Sequence, residues 1–196
     1  MPLVPYALTS VAAVKERLGI STSSQDTMIE DLINECTDWI ESYCGDRRFV
    51  DSGSDIVEIH DGNFDFGARC RIFVRQFPIF SVTKIEYSTG SFSTPVWNTL
   101  NADTQYKIDA RSGIIYMYYL PVGRQNLRIT YRGGYLVASI PYDLQHACIK
   151  LVSKEYLRRN SEGASMEGVG GASVKWELEV DPSFKSLLSR YKKYDI

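Results

Sequence analysis

Between Gln25 and Cys44 the apolar residues recur at helical spacing: Met28, Ile29, Leu32, Ile33, Cys36, Trp39, Ile40, Tyr43 and Cys44. At about 100° per residue they fall within about 160° of arc, with Asp31, Asn34, Glu35, Asp38 and Glu41 opposite. This spacing predicts an amphipathic helix of about five turns, stopped by Gly45. A stripe this wide has to be covered by other elements, which commits the chain to a packed helical core.

The flanks supply candidates for that cover. Thr9 or Ser10 caps a shorter helix through Val11, Val14 and Leu18, and Gly19 stops it. Helical spacing returns after Ile140-Pro141, where Leu144, Ala147, Cys148, Leu151, Val152 and Tyr156 form one stripe. The first two helices are too few to bury their apolar faces alone, so the helix from Pro141 to Asn160 is their natural partner. Ser161 to Ser173 is rich in Gly, Ser and Ala and reads as a mobile loop. Val174 to Leu178 reads as a short strand, and Asp181-Pro182 opens a final helix to about Tyr194.

The intervening stretch has a different texture. Short β-type runs cover 56–59, 71–74, 82–87, 114–119 and 127–131, punctuated by Asp61-Gly62, Thr89-Gly90, Ser112-Gly113 and Gly133-Gly134. They point to a small antiparallel sheet, sandwich or barrel. The expected class is α+β. A helical domain of three to four helices, formed by residues 1–50 and 136–196, is interrupted by an antiparallel β-rich insertion at 51–135.

Composition narrows the function. In 196 residues, 44% are hydrophobic and 23% charged, and the net charge is −2, so no global basic field advertises nucleic acid. No apolar run approaches the roughly 20 residues of a membrane span. Met1-Pro2-Leu3-Val4-Pro5 has neither the charged nor the apolar region of a secretory signal, and synthesis in the cytoplasm is expected. Cys36, Cys44, Cys70 and Cys148 form no CxxC pair and no zinc-like spacing, and read as buried thiols.

Catalytic signals are weak. His60 and His146 are the only histidines, and no GxSxG, HExxH or P-loop surrounds them. On one helix His146 and Cys148 point to different sides, so the imidazole is badly placed to activate the thiol. His60, beside Asp61-Gly62, reads as a strand-end residue at a turn. No catalytic residue, metal ligand or cofactor is expected.

The remaining polar groups suggest surfaces. Asp31, Glu35 and Asp38 form either a solvated helix face or the acidic lining of a channel that passes DNA without holding it. Glu155 and Arg159 stand in the favourable order for an ion pair one turn apart. Arg69, Arg71 and Arg75 alternate with Cys70, Ile72 and Val74, so they share one strand face. That face is solvated, or meets acidic neighbouring subunits or nucleic acid. Tyrosine, present 13 times, offers interface area at low entropic cost. The final amphipathic helix, with the loop before it, has the pattern of a docking arm or of a helix packed on its own core.

Two stretches also resemble a known family. Leu8 to Ile20, and Asp26 through Ile29-Glu30-Asp31-Leu32-Ile33 to Trp39-Ile40-Glu41-Ser42-Tyr43-Cys44-Gly45, look like the opening helices of head–tail connectors (adaptor or head-completion proteins) of tailed bacteriophages and phage-like gene transfer particles. Further on, Tyr106-Lys107-Ile108-Asp109, Ser112-Gly113-Ile114-Ile115 and Ile129-Thr130-Tyr131-Arg132-Gly133-Gly134-Tyr135 are similar to the longer members. So are Ile140-Pro141, Asp143-Leu144 and Tyr156-Leu157-Arg158-Arg159. Short members are almost entirely helical, and this chain departs from them through its β insertion.

The resemblance implies a structural virion protein of the neck, below the portal vertex. Its copies would form a ring, usually dodecameric, between the portal protein and a stopper or tail-completion protein, with DNA passing through. By the same resemblance Val174, Trp176, Phe184, Leu187, Leu188, Tyr191, Lys192 and Tyr194 are expected portal contacts. Two other readings stay open: another neck or tail-completion protein one ring lower, and a nucleic-acid- or glycan-binding module using the β region.

Overall fold

The computed structural model describes residues 1–62, 71–89, 91, 93–102, 104–119, 122–159, 166–169, 172–175 and 182–192; the expected contacts Trp176, Tyr194 and Arg69, and Cys70, lie outside them. The chain divides into two compact units, Met1–Arg47 with Ser139–Asp195, and Arg48–Ala138.

The first unit is helical. Helix α1 (Val11–Leu18) is capped by Ser10, whose Oγ accepts from the Ala13 amide at 3.3 Å, and closed by Gly19 at φ 69°. Helix α2 (Asp26–Tyr43) packs against α3 (Tyr142–Arg158), which Pro141 precedes. Ile29, Ile33, Cys36 and Ile40 of α2, with Leu144, Ala147, Cys148 and Val152 of α3, are all buried. Each such large aliphatic side chain contributes about 1.5–3 kcal/mol by leaving water.

The buried side of α2 is rotated from its sequence expectation. Asn34 and Glu41, placed opposite the apolar stripe by periodicity, are only 5% exposed, whereas Met28 is 44% exposed. The N-terminal segment accounts for the burial of Asn34. Asn34 accepts from the Val4 amide at 3.0 Å and donates to the Pro2 carbonyl, while the Thr37 hydroxyl accepts from the Leu8 amide. Residues 2–8 therefore cover a polar edge of the helix whose hydrogen bonds they satisfy.

The terminal part differs from its expectation in two respects. Strands β8 (Met166–Val169) and β9 (Ala172–Lys175) form an antiparallel hairpin, so part of the expected loop is strand. Helix α4 (Pro182–Ser189) is shorter than expected.

The second unit is antiparallel β structure. Strands β1 (Ile56–Gly62), β3 (Ile79–Ser88), β4 (Trp97–Thr99) and β7 (Gly123–Gly133) form one sheet in the order β1-β7-β3-β4. Strands β2 (Arg71–Phe73), β5 (Tyr106–Asp109) and β6 (Ile114–Met117) form a second, in the order β2-β6-β5. One apolar cluster joins their inner faces, with Ile85, Leu127, Ile129 and Tyr131 from the first sheet and Ile72, Tyr106, Ile115 and Met117 from the second. The α+β class is what the texture change after Phe49 implied.

Gly133 and Gly134 have a steric role here. A Cβ on Gly133 would lie 2.5 Å from the Gln76 carbonyl oxygen. Gly134 adopts φ 107° against the Asp51 amide and Phe49 carbonyl, a conformation that side chains disfavour. Arg132 beside them grips Asp51 with Nε and Nη2, at 2.6–3.0 Å.

Candidate assembly surfaces

Helix α4 is seated on its own helical unit. The Phe184 ring lies 6.0 Å from that of Trp39, which stacks in turn on Tyr43 at 5.4 Å. Leu188 is fully buried and its carbonyl accepts from the Cys44 thiol. Just beyond the helix, Arg47 Nη1 donates to the Tyr191 carbonyl at 2.8 Å, and the Tyr191 hydroxyl donates to Asp143 Oδ1 at 2.5 Å. Lys192 Nζ sits 4.2 Å from the Tyr43 ring centroid. Of the expected portal contacts, Phe184, Leu187 and Tyr191 are half-buried, while Lys192 is exposed. Val174 lies on β9.

Asp31, Glu35 and Asp38 are all exposed on α2. Their spacing confines them to about 60° of arc, so they form one acidic ridge. The Met1 ammonium pairs with Asp31 at one end. Between α2 and α3, Glu35 and Glu155 rim a cavity of about 170 Å³ that Cys36, Trp39 and Leu151 line. Arg159 turns away from the expected partnership with Glu155; it donates to the Tyr156 carbonyl at 2.5 Å and lies 3.9 Å from that ring.

In the β unit Arg71 and Arg75 are exposed while Ile72 and Val74 are buried. Arg71 stands directly across from Tyr116, with Lys107 on the far side of the same tyrosine. The four-stranded sheet carries a cleft of about 600 Å³ beside Trp97, Ile59, Val122 and Asn126. Arg128 lies over Trp97 at 4.3 Å and pairs with Glu86 at 2.8 Å.

The sequence neighbours His146 and Cys148 do not come together. His146 is exposed while Cys148 is buried on the opposite side of α3. Burial raises the Cys148 thiol to about 12 and the Cys44 thiol to about 11, and also pushes Cys36 up. Asp143 is engaged by Arg190 and Tyr191. His60 Nε2 lies 3.0 Å from Glu58 Oε2, within β1 instead of at a turn. Among the described residues no group of three His, Cys, Asp or Glu side chains could hold a metal ion. No described helix is long and apolar enough to cross a membrane.

A family model described as head completion protein (HCP) matches residues 7–194, almost the whole chain. The chain belongs to the head completion protein family. Among curated proteins none matches the sequence. Solved structures similar to this head completion protein include the neck of an empty gene transfer agent (GTA) particle computed with C6 symmetry, at 15% identity and TM-score 0.58. The virion of a native GTA particle gives 14% and 0.60, and the neck of a native GTA particle computed with C12 symmetry gives 15% and 0.56. In each case all of this chain is covered, with 95%, 95% and 94% of the other. At such identities the likeness is one of fold, and it spans both units.

One buried cluster of this family member escapes sequence reasoning. Glu58, 8% exposed, accepts from the Tyr131 hydroxyl at 2.5 Å and from the Arg75 amide at 3.0 Å. Ile56, Glu58 and His60 share one strand phase, whereas Val57 and Ile59 make the other phase the more apolar yet are exposed, so alternation points to the wrong side as buried. The lone signal is a glutamate within a β-type run.

Proposed function

We propose that this protein is the structural adaptor of a virion neck. Its copies form a ring, twelve in the closed state, between the portal protein and a stopper or tail-completion protein. The ring prolongs the DNA channel once packaging is complete, and the chain catalyses no reaction. The observation that carries this reading is the head completion family match over residues 7–194. Its support is the full-length likeness in fold to chains from GTA necks and virions, one neck computed with C12 symmetry.

The chemistry agrees with a building part. Several described polar groups serve ion pairs, helix docking and strand tethering, as with Asp143–Arg190 and Asp51–Arg132. We assign the helical unit to the channel frame and the β unit to peripheral contacts with neighbouring subunits or capsid. Portal binding goes to the terminal region from β9 through α4, with Lys192 and the open sides of Phe184, Leu187 and Tyr191.

Particles lacking the protein should keep filled heads that fail to join tails, counted by electron microscopy. Normal tail attachment without it would refute the adaptor reading.

A further inference from the structure

Across the three-stranded sheet, Tyr116 on β6 faces Arg71 on β2 and Lys107 on β5. At about 4.8 Å between strands, the two cationic positions stand about 10 Å apart with the tyrosine between them. All three side chains are exposed, Tyr116 at 38%. Directly below, Ile72 and Ile115 close the core, so this row points outward by the alternation of the strands. The Arg71 guanidinium lies 6.0 Å from the Tyr116 ring centroid, and Tyr118 and Tyr119, just past β6, are 65% and 64% exposed. Asp109 shares the face and stays ionised, its carboxyl held low chiefly by the Ser112 hydroxyl, so one anion stands beside the cationic row.

The same chain carries a row of opposite sign and equal length. Asp31, Glu35 and Asp38 lie along one ridge of α2, and at about 1.5 Å per residue Asp31 to Asp38 spans about 10 Å. Both rows are straight, exposed and built on regular elements, so their spacing is fixed before any encounter.

We propose that the Arg71–Tyr116–Lys107 row docks the acidic ridge of α2 in a second copy of this chain. The inference rests on the ring reading. A head-to-tail ring needs two different, mutually complementary surfaces on every subunit, in contrast to the single self-complementary patch of a twofold dimer. Two matched rows of opposite charge meet that requirement, and charges placed in this way chiefly set register and steer encounter. Tyr116 supplies rigid contact area between the cations.

The test is charge reversal with rescue in the particle that carries the protein. Three variants are compared with the parent and with the strain lacking the chain: Arg71→Glu with Lys107→Glu, Glu35→Lys with Asp38→Lys, and all four together. Thermal melting of each purified variant checks the fold. Each two-site reversal should lower the yield of tailed particles about tenfold, and the four-site variant should restore it, because inverted rows still attract each other. Unchanged yield in either two-site variant overturns the proposal. So does loss without rescue, which for the α2 variant would mean that the ridge faces DNA. If the strain lacking the chain joins tails normally, the adaptor reading itself fails; if only the variants join normally, just this pairing fails.

Discussion

The Tyr131 hydroxyl donates to Glu58 Oε1 at 2.5 Å, tying β7 to β1 through side chains as well as through their ladder. The tyrosine oxygen also accepts from the Gln76 amide, and Glu58 takes a further bond from the Arg75 amide. One phenol thus anchors the 75–76 segment to the inner face of the sheet. Tyr131→Phe keeps the ring and leaves a buried carboxylate short of a donor. It should cost about 1.5–3 kcal/mol, the range for a hydrogen bond to a charged group. Urea unfolding checks this, and an unchanged midpoint would refute the anchoring role.

Acid should weaken the same cluster. Burial pushes the Glu58 carboxyl up, but the hydrogen bonds from His60, Tyr131 and Arg75, with the charge of His60, together hold it below its ordinary 4.5. A carboxyl depressed in the folded state contributes stability above its unfolded value, and loses it as pH falls through the folded one. Stability should therefore decline below about pH 4.5, and Glu58→Gln should flatten that limb while lowering the neutral plateau. Melting temperatures of both proteins across the acid range would decide; parallel curves would refute the assignment.

Gly134 holds a conformation its neighbours enforce. At φ 107°, with the Asp51 amide 2.8 Å and the Phe49 carbonyl oxygen 2.9 Å from where a Cβ would stand, alanine meets both strain and backbone. Gly134→Ala should destabilise the protein by about 1–3 kcal/mol, the usual cost of a strained backbone state. Gly19→Ala is the control, because nothing lies within 4 Å of its Cβ position. Equal losses in the two variants would show that contact adds nothing.

Cys36, Cys44 and Cys148 are buried free thiols, and burial raises all three above the usual thiol range. With little thiolate and no access, they should react with a thiol reagent only when their surroundings open. Mass spectrometry of native protein should find them unlabelled at pH 8 and fully labelled in denaturant. Prompt native labelling of Cys148 would contradict its place between α2 and α3.

Elements with strong local signals were legible in advance. The eight apolar positions on α2, the Ser10 and Gly19 caps of α1 and the Pro141 start of α3 are each written within a few residues, since helical period and capping are local physics. Three of the five β-type runs lie on long strands of the first sheet for the same reason. The Arg71/Ile72 alternation also carried over, with the arginine outside and the isoleucine inside.

The sequence by itself determined the α+β class, the change of texture after Phe49 and the ordered motif set that belongs to head completion proteins. Only the tertiary structure decided which edge of α2 is covered, because Asn34 looks like a surface residue until segment 2–8 supplies its partners. Likewise it alone brought Tyr131 to Glu58 and Arg71 beside Tyr116 and Lys107. Period fixes the face of an element relative to itself; which face meets which is set by contacts between residues far apart in the chain.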